Sequence, residues 1–514
     1  MTNIFQNTEK SLEFLYSNYF LSLIIICIIS LTLRIHFTNW EFPFESQDAL
    51  IYLIQAQYIA DGNFEILPNN IGWQSFLSIF FIILNFENNF QYMQVIRIVS
   101  IGISTATIPL VYFIARKFLD KKFAILAASF FAFDPNLIEN SIFGITEPLF
   151  IFCSLLTIFF ILHNKIKYLI LVGVFCGLSL DIRLNGIVLL FVAIISIILL
   201  KVPQTEKTKK IVLLLVMFGI SASPYFILDF QNYSSPFGEI SLMPDIITQN
   251  VPPSAHPSYI ELSFSEKLFS AISEEIKHVF RISIPFLALF VPFGIFSLIS
   301  KIQFKEKILI LVIIISLIVA IPQYFLSLEY RNLFLILPIF SVIGAIGIQI
   351  LIQNKKNQNL FLLTLIIGLI FLSGNMLRER NEINMELYKE KELFGEFVAT
   401  SFKGKIMGDL YTQIGHHVPD VKITNEGLIG NNELSLIGTG PPQKSINTLI
   451  EFIKNNKVNY IIIDDQYDTR SPELVQVYFN EEKYLFLKSI FVSHDEGYKN
   501  LNVKIFEVDY TKLE

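Results

Sequence analysis

Long apolar runs recur through residues 1–376, and most of them approach the ~20 residues that a helix needs to cross a bilayer. Hydrophobic residues make up 53% of the 514, and the mean hydropathy of +0.54 lies outside the range of soluble globular chains. We therefore predict a polytopic α-helical membrane protein with about eleven spans, near residues 19–35, 95–115, 123–140, 147–163, 168–182, 185–200, 211–228, 282–300, 308–326, 331–352 and 359–376.

Lys and Arg are concentrated in loops that alternate with loops poor in both residues. The basic loops are RKFLDKK (116–122), NKIK (164–167), KVPQTEKTKK (201–210), KIQFKEK (301–307) and NKKNQ (354–358), whereas the stretch 36–96 has no Lys or Arg. Excess Lys and Arg marks the cytoplasmic side. We therefore predict a protein of the cell membrane with a cytoplasmic N-terminus. The shorter run 72–86 is interpreted as a juxtamembrane or re-entrant helix, because counting it as a span would place basic loops on both sides.

The chain becomes polar near residue 377 and stays so to its end. VNYIIIDD (458–465) and NVKIFEVDY (502–510) have strand-like patterns, and INTLIEFIKNN (446–456) has a helical one. We predict two domains, a membrane domain over 1–376 and a small extracytoplasmic α/β domain over 377–514. The mild net charge of −6 argues against nucleic acid as a partner.

Ionisable residues recur at the predicted outer ends of the spans. Such a side chain costs about 2.5–3.5 kcal/mol at the bilayer centre, so its presence in a span is a signal of function. Each one alone could be an interfacial anchor or a snorkelling cation. Together they form a set of acids and arginines at one depth on one face of the membrane: Asp48, Glu147, Asp181, Arg183, Arg281, Glu329 and Arg331.

The first outer loop contains a predicted helix from Gln47 to about Asp61. Ser46 is a suitable N-cap and Gly62 a suitable residue after the C-cap, so Asp61 is interpreted as closing the helix. Helical spacing aligns Asp48, Tyr52 and Gln55 in a polar stripe and turns three apolar residues toward lipid or protein: Leu50, Leu53 and Ile54. An ordinary amphipathic surface helix would show the same pattern.

Acids and arginines at the outer leaflet match the needs of one kind of synthesis. Nucleotide sugars and ATP are absent outside the cell, so a transferase there uses a lipid-linked donor. A polyprenyl phosphate leaving group needs cations, which arginine supplies in a bidentate manner. The acceptor hydroxyl needs a base, and one carboxylate is sufficient.

The sequence resembles the GT-C glycosyltransferases, and more narrowly the group of protein O-mannosyltransferases and lipid A aminoarabinose transferases. The resemblance covers about residues 15–350. It is carried by Asp48, Tyr52 and Gly62 of the first outer loop, by Arg97, and by three segments: FDPNLIENSIFGITEPLF (133–150), GVFCGLSLDIRLNG (173–186) and EYRNLFLILPIFSVIGAIGI (329–348).

This resemblance implies inverting transfer of a sugar, of hexosyl or mannosyl type, from a dolichyl- or polyprenyl-phosphate donor to an acceptor hydroxyl on a protein, lipid or glycan. Asp48 takes the position of the catalytic base. A cavity for donor and acceptor would be lined by Glu45, Tyr52, Glu147 and Asp181, and the lipid phosphate would be held by Arg183, Arg331 and Arg97. The sequence departs from the family where its Asp-Glu pair is Asp48-Ala49, which leaves Glu45 as a possible second acid, and where its Arg-Tyr pair is Arg331-Asn332.

Two other classes of protein remain open from the sequence. A membrane transporter or lipid flippase would also carry charged residues in its spans, and a non-catalytic membrane component could bind a partner through the C-terminal domain. No cofactor is certain, and a divalent metal is possible but not indicated. The adjacent His416 and His417 have poor ligand geometry, and acids at the end of a strand, such as Asp464 and Asp465, are often only turn formers.

Overall fold

The computed structural model describes most of the chain, and the remaining residues lie outside this description. The described ranges are 18–43, 46–64, 68, 70–84, 86, 88–163, 165–234, 264–283, 287–300, 303–324, 330–353, 357–408, 410–418, 421–424, 427–430, 433–437, 445–465 and 472–513. Glu45 and Glu329 fall outside them.

The N-terminal part is helical, and its helices pack around one large apolar core. They are α1 (Tyr19–Phe37), α2 (Gln47–Ala60), α3 (Gly72–Ile83), α4 (Asn89–Ala115), α5 (Lys121–Ala132), α6 (Pro135–Ile142), α7 (Glu147–His163), α8 (Ile166–Ile182), α9 (Ile187–Ile198), α10 (Gln204–Ser221), α11 (Ser223–Tyr233), α12 (Phe264–Ser283), α13 (Leu287–Ser300), α14 (Phe304–Tyr324), α15 (Ile336–Ile352) and α16 (Gln358–Ser401).

Among the described residues, three helical segments are individually long and apolar enough to cross a membrane: α1, α4 and residues 358–381 of α16. Counting each of two bent helix pairs as one span raises this number to five. Four further apolar helices are shorter, including the segment from Gly72 to Ile83. The chain is thus a membrane protein by its apolar helices, while the predicted count of eleven spans is not confirmed.

Two predicted spans are interrupted at proline-containing turns. The predicted span 123–140 breaks between α5 and α6, where Asp134 accepts hydrogen bonds from the backbone N–H groups of Asn136 and Leu137. Pro135 occupies the first turn of α6, where its missing N–H costs nothing. The predicted span 211–228 also bends, by 60° between α10 and α11.

Two other predicted spans begin later than expected. The span predicted from residue 331 is helical only from Ile336, after a 3-10 turn over Tyr330–Leu333. Starting the α-helix at 331 would put Pro338 in its interior, where proline removes a hydrogen bond and clashes with an earlier carbonyl. Arg281 was expected to open a span, but it lies in the last turn of α12, and the next helix begins at Leu287.

Helices α13 and α15 approach each other through glycine. A Cβ atom at Gly294 would clash with the carbonyl oxygen of Ile343, and one at Gly347 would clash with the carbonyl oxygen of Phe290. Small residues at such crossings let helix backbones come close in membrane proteins. This contact fixes α15, and with it the turn that carries Arg331.

The described residues of the C-terminal part form a mixed sheet of seven strands with short helices. The helix predicted over 446–456 is present as Ile446–Asn456, and the predicted strands are present as Tyr460–Asp464 and Val503–Val508. The strand order is β2-β3-β4-β1-β5-β7-β6, with β1 parallel to β4 and β5 and the remaining pairs antiparallel. The elements are β1 (Gly404–Gly408), α17 (Tyr411–His417), β2 (Lys422–Thr424), β3 (Gly427–Ile429), β4 (Leu434–Ile437), α18 (Ile446–Asn456), β5 (Tyr460–Asp464), α19 (Pro472–Phe479), β6 (Leu487–Val492) and β7 (Val503–Val508).

Helix α16 connects the membrane part to the sheet. It continues without a break through residue 376, where the sequence predicts a domain boundary, and ends at Ser401, three residues before β1. Glu390 of α16 accepts hydrogen bonds from the backbone N–H groups of Lys499, Asn500 and Leu501, at 2.7–3.1 Å. These contacts hold the loop before β7 against the long helix.

Helix α2 lies between the membrane helices and the sheet domain. Leu50, Leu53 and Ile54 are almost completely buried, so this face contacts protein. Leu50 packs against Gly415 of α17, and the Tyr58 hydroxyl accepts a hydrogen bond from the backbone N–H of Ile423, at 2.9 Å. Helix α2 is therefore held in place from both sides.

Candidate active site

The innermost part of the candidate site is an ion pair between Glu147 and Arg183. Glu147 begins α7, where a carboxylate is favoured by the positive end of the helix, and Arg183 follows the last residue of α8. Arg183 Nη1 lies 2.6 Å from Glu147 Oε1 and donates to Thr146 Oγ1 at 3.0 Å. Only 1% of the Glu147 side chain is exposed, so this carboxylate depends on Arg183 for its charge balance.

The outer part of the site pairs Asp48 with Arg331. Arg331 Nη1 lies 2.7 Å from Asp48 Oδ2, and its Nε lies 3.9 Å from Glu147 Oε1. One guanidinium thus faces both carboxylates. The result is a continuous chain of alternating charges that runs from Asp48 through Arg331 and Glu147 to Arg183.

Tyr52 and Asn332 complete this cluster. Tyr52 lies one helical turn after Asp48, and the charges of Asp48, Arg183, Glu147 and Arg331 all act on it. Burial, and after it the charge of Asp48, raises the pKa of the Tyr52 hydroxyl well above its usual value, so it remains a neutral donor at physiological pH.

Asn332 connects the turn that carries Arg331 to the inner ion pair. Its Oδ1 accepts a hydrogen bond from Arg183 Nη2, at 3.2 Å. Asn332 stands where the family pattern has a tyrosine after the arginine, and in this chain it contacts Arg183.

Exposure differs along the chain of charges. The Asp48 side chain is 36% exposed and that of Arg331 is 26% exposed, whereas the values are 1% for Glu147 and 18% for Arg183. An incoming molecule meets Asp48 and Arg331 first. Asp48 is consequently the carboxylate in this cluster that a hydroxyl group can reach.

Other residues predicted for the site lie elsewhere. Asp181 is buried and accepts a hydrogen bond from the backbone N–H of Tyr225 in α11. Arg97 is 3% exposed and donates to the carbonyl oxygen of Phe42 at 2.6 Å. It lines a separate cavity of about 100 Å³ with Glu139 and Arg380. Glu45 lies outside the described residues.

The predicted helix of the first loop is present with its expected ends. Ser46 precedes it in extended conformation, although its side chain makes no capping hydrogen bond, and Gly62 follows Asp61 with φ of +76°. Gln55, however, does not point into the cluster, because it is buried and accepts a hydrogen bond from Gln74 of α3 at 2.8 Å. Of the predicted polar stripe, Asp48 and Tyr52 thus belong to the site, whereas Gln55 contributes to the packing of α2 on α3.

Among the described residues, no three His, Cys, Asp or Glu side chains are grouped closely enough to hold a metal ion. His417 instead pairs with Glu392 of α16, with Nε2 and Oε2 2.9 Å apart.

Two contributors to the cluster were not identified from the sequence. Thr146 is adjacent to Glu147 and accepts from Arg183, and Asn332 was treated as a departure from a family pattern. A signal was available for both, because each is a polar residue directly beside a charged one at the predicted outer end of a span.

Comparisons with known proteins give the family and the fold that this chain resembles. Residues 74–227 match the family model of dolichyl-phosphate-mannose-protein mannosyltransferases, whereas no curated protein sequence matched. The structure is similar to that of the archaeal oligosaccharyltransferase AglB from Archaeoglobus fulgidus in complex with an inhibitory peptide and a dolichol-phosphate. The TM-score is 0.60 at 12% identity, over 89% of this chain and 71% of that one.

A second similar structure is that of ArnT from Cupriavidus metallidurans bound to undecaprenyl phosphate. Here the TM-score is 0.56 at 9% identity, over 95% of this chain and 98% of that one. The chain therefore has the fold of the GT-C glycosyltransferases, a class of membrane proteins. The expected resemblance to the protein O-mannosyltransferase and aminoarabinose transferase group is confirmed, and the segment that matches the family model includes both Glu147 and Arg183.

Proposed function

We propose that the protein transfers a sugar, with inversion, from a polyprenyl-phosphate donor to an acceptor hydroxyl at the outer face of the membrane. The observation that supports this most is the exposed Asp48–Arg331 pair, joined through Glu147 to Arg183. It places a base beside cations suited to a phosphate.

The proposed reaction uses three members of the cluster directly: Asp48, Arg331 and Arg183. Asp48 accepts the proton of the acceptor hydroxyl while its oxygen attacks the anomeric carbon of the donor sugar. The bond from that carbon to the phosphate oxygen breaks, and the electron pair leaves with the polyprenyl phosphate. Arg331 and Arg183 stabilise the charge that gathers on the phosphate, because a guanidinium binds such oxygens in a bidentate manner. Asp48 afterwards releases its proton to water.

Glu147 holds the two arginines at one place. Its carboxylate is buried and cannot reach an acceptor, but it contacts Arg183 at 2.6 Å and faces Arg331 at 3.9 Å. Without a donor the four charges of the cluster balance. A bound phosphate adds a negative charge and draws Arg331 away from Asp48, which frees the carboxylate for the acceptor.

The dolichol-phosphate and undecaprenyl phosphate in the similar structures support a lipid phosphate as the donor's leaving group. The predicted orientation, with the N-terminus cytoplasmic and the sheet domain outside, is part of this proposal, since it puts the cluster on the side where lipid-linked sugars are used.

The test is a transfer assay with purified protein, membrane extract and a panel of radiolabelled polyprenyl-phosphate sugars. We expect wild type to transfer label from at least one donor, and Asp48→Asn to lose transfer while retaining donor binding. Asp495→Asn, which changes an exposed acid of the sheet domain, serves as the matched control and should keep full activity. Absence of transfer from every donor, or full activity in Asp48→Asn, would refute the proposal.

A further inference from the structure

A large cavity lies between the first outer loop and the C-terminal sheet domain, away from the charged cluster. Its volume is about 910 Å³, which is within the range of ligand sites. One wall comes from the end of α2 and the start of α4, and the other from α17 and β2. The site is therefore incomplete without the C-terminal domain.

The chemistry of the walls defines what the cavity can hold. Aromatic rings supply flat apolar surface, among them Tyr58, Phe86 and Phe90, and amide side chains lie beside them at Gln57 and Asn89. Gln57 Nε2 donates to Asn89 Oδ1 at 3.0 Å. An amide has two N–H donors and two acceptor lone pairs, so each of these side chains retains donors or acceptors for a ligand.

The charges at the cavity argue against an anion and against a fatty chain. Asp61 and Lys422 carry opposite formal charges, and His417 is held by Glu392. By contrast, the groove beside α12 carries three cations and one acid: Lys277, Arg281, Arg380 and Glu139. A lipid phosphate would find more positive charge in that groove than in this cavity, and an acyl chain in the cavity would leave the amides and Asp61 without partners, at a cost in free energy.

We propose that this cavity binds a neutral sugar chain. Hydroxyl groups both donate and accept hydrogen bonds, as amides do, and the C–H faces of sugar rings pack on aromatic side chains. Asp61 lies 13 residues after Asp48 on the same helix, so the cavity is about 20 Å from the proposed base. A ligand that occupies both places is an extended oligosaccharide.

This position gives the sugar chain a role as the acceptor. Binding energy gained far from the reacting hydroxyl can hold that hydroxyl beside Asp48. The role as acceptor rests on the proposed function, whereas the binding site itself does not.

The test measures binding without transfer, using the full-length protein in lipid nanodiscs, because maltoside detergents themselves carry sugar. The probes are neutral linear hexasaccharides of glucose, mannose or N-acetylglucosamine, and dodecyl phosphate is the anionic comparison. Binding is measured by calorimetry and by saturation-transfer NMR. We expect at least one hexasaccharide to bind, with Ala60→Trp, which fills the cavity, weakening it at least tenfold. Phe90→Ala should also weaken binding, and Phe479→Ala, an exposed ring outside the cavity, should not.

Failure of the site and failure of the enzyme are distinguishable. A protein that binds the sugar chain but transfers nothing would refute the proposed function and leave the site standing. The site is refuted if no hexasaccharide binds, or if binding persists in both Ala60→Trp and Phe90→Ala. Binding of dodecyl phosphate alone, abolished by Ala60→Trp, would assign the cavity to an anionic lipid instead.

Discussion

At the scale of single residues, Glu147 is the most constrained member of the candidate site. A carboxylate with 1% of its side chain exposed is stable as an anion only beside a cation. Arg183 supplies that cation directly, and Arg331 approaches at a longer distance. The pair of Glu147 and Arg183 therefore contributes to the stability of the fold. It differs in this from the more exposed pair of Asp48 and Arg331.

Removing the inner cation should destabilise the protein strongly. Arg183→Met leaves Glu147 buried without its nearest partner, and breaking a buried pair in this way costs about 3–5 kcal/mol. We expect a lower Tm in thermal unfolding, and partial recovery when Glu147→Gln is added, because the unpaired charge is then gone. An unchanged Tm for Arg183→Met would contradict the pairing, and transfer activity should remain lost in the double variant.

The sequence singled out most of this cluster but not its full membership. Asp48, Glu147, Arg183 and Arg331 were all predicted from their depth at the ends of spans. Depth is what hydropathy reveals, whereas position around the bundle depends on how helices pack. Asp181 shares the predicted depth and yet accepts a hydrogen bond from the backbone N–H of Tyr225 in α11.

Contacts between distant parts of the chain are beyond sequence patterns of this kind. Asn332 reaches Arg183 across 149 positions in the sequence, and the meeting follows from the packing of α15 rather than from any local signal. The hydropathy pattern can place both residues at the predicted outer face, but it contains no information on which loops meet there.

At the scale of elements, the contact of α13 with α15 sets the position of Arg331. Gly294→Ala should lower stability by about 1–3 kcal/mol, because the added methyl group would clash with the Ile343 carbonyl and push the two helices apart. Transfer activity should fall as well, since α15 continues from the turn of Arg331. Thermal unfolding and the transfer assay measure both effects.

The control for this variant is another helical glycine in open space. A Cβ atom at Gly368 of α16 meets nothing within 4 Å, so Gly368→Ala should leave stability unchanged or raise it by up to about 1 kcal/mol. Equal effects of the two substitutions would show that helix propensity, and not close packing of α13 on α15, governs the result.

The helices and strands were predicted more reliably than the breaks within the predicted spans. Helix α18 and strands β5 and β7 lie where polar and apolar alternation places them, because local periodicity is sufficient for short elements. The breaks at Asp134 and Ala222 were missed, since apolar residues continue on both sides of each break and hydropathy averages across it.

At the scale of the whole molecule, Glu390 fastens the sheet domain to the membrane helix. Burial raises its pKa, but hydrogen bonds from the backbone N–H groups of Asn500, Lys499 and Leu501 lower it by more, so its pKa lies below the usual value. A carboxyl group with a lowered pKa in the folded state stabilises the fold above its unfolded pKa of about 4.3. This contribution disappears as pH falls through the folded pKa.

Glu390→Gln should therefore loosen the domain in a pH-dependent manner. Hydrogen–deuterium exchange of residues 493–503 should rise in the variant at pH 7, and the difference from wild type should shrink as pH falls through the lowered folded pKa of the wild-type carboxyl group. Glu386→Gln, an exposed acid one turn earlier on α16, is the control and should match wild type throughout. A difference that stays constant with pH would exclude the charge of Glu390 as the cause.

Helix α16 has a mechanical consequence. Its 44 residues correspond to a rod of roughly 66 Å at 1.5 Å per residue. A change in tilt of about 5° within the bilayer would move its far end by roughly 6 Å. Since the sheet domain covers α2, a change in the tilt of α16 would also change how the sheet domain lies on α2. The same chain would therefore hold the sheet domain and α2 in different relative positions in thin and thick membranes.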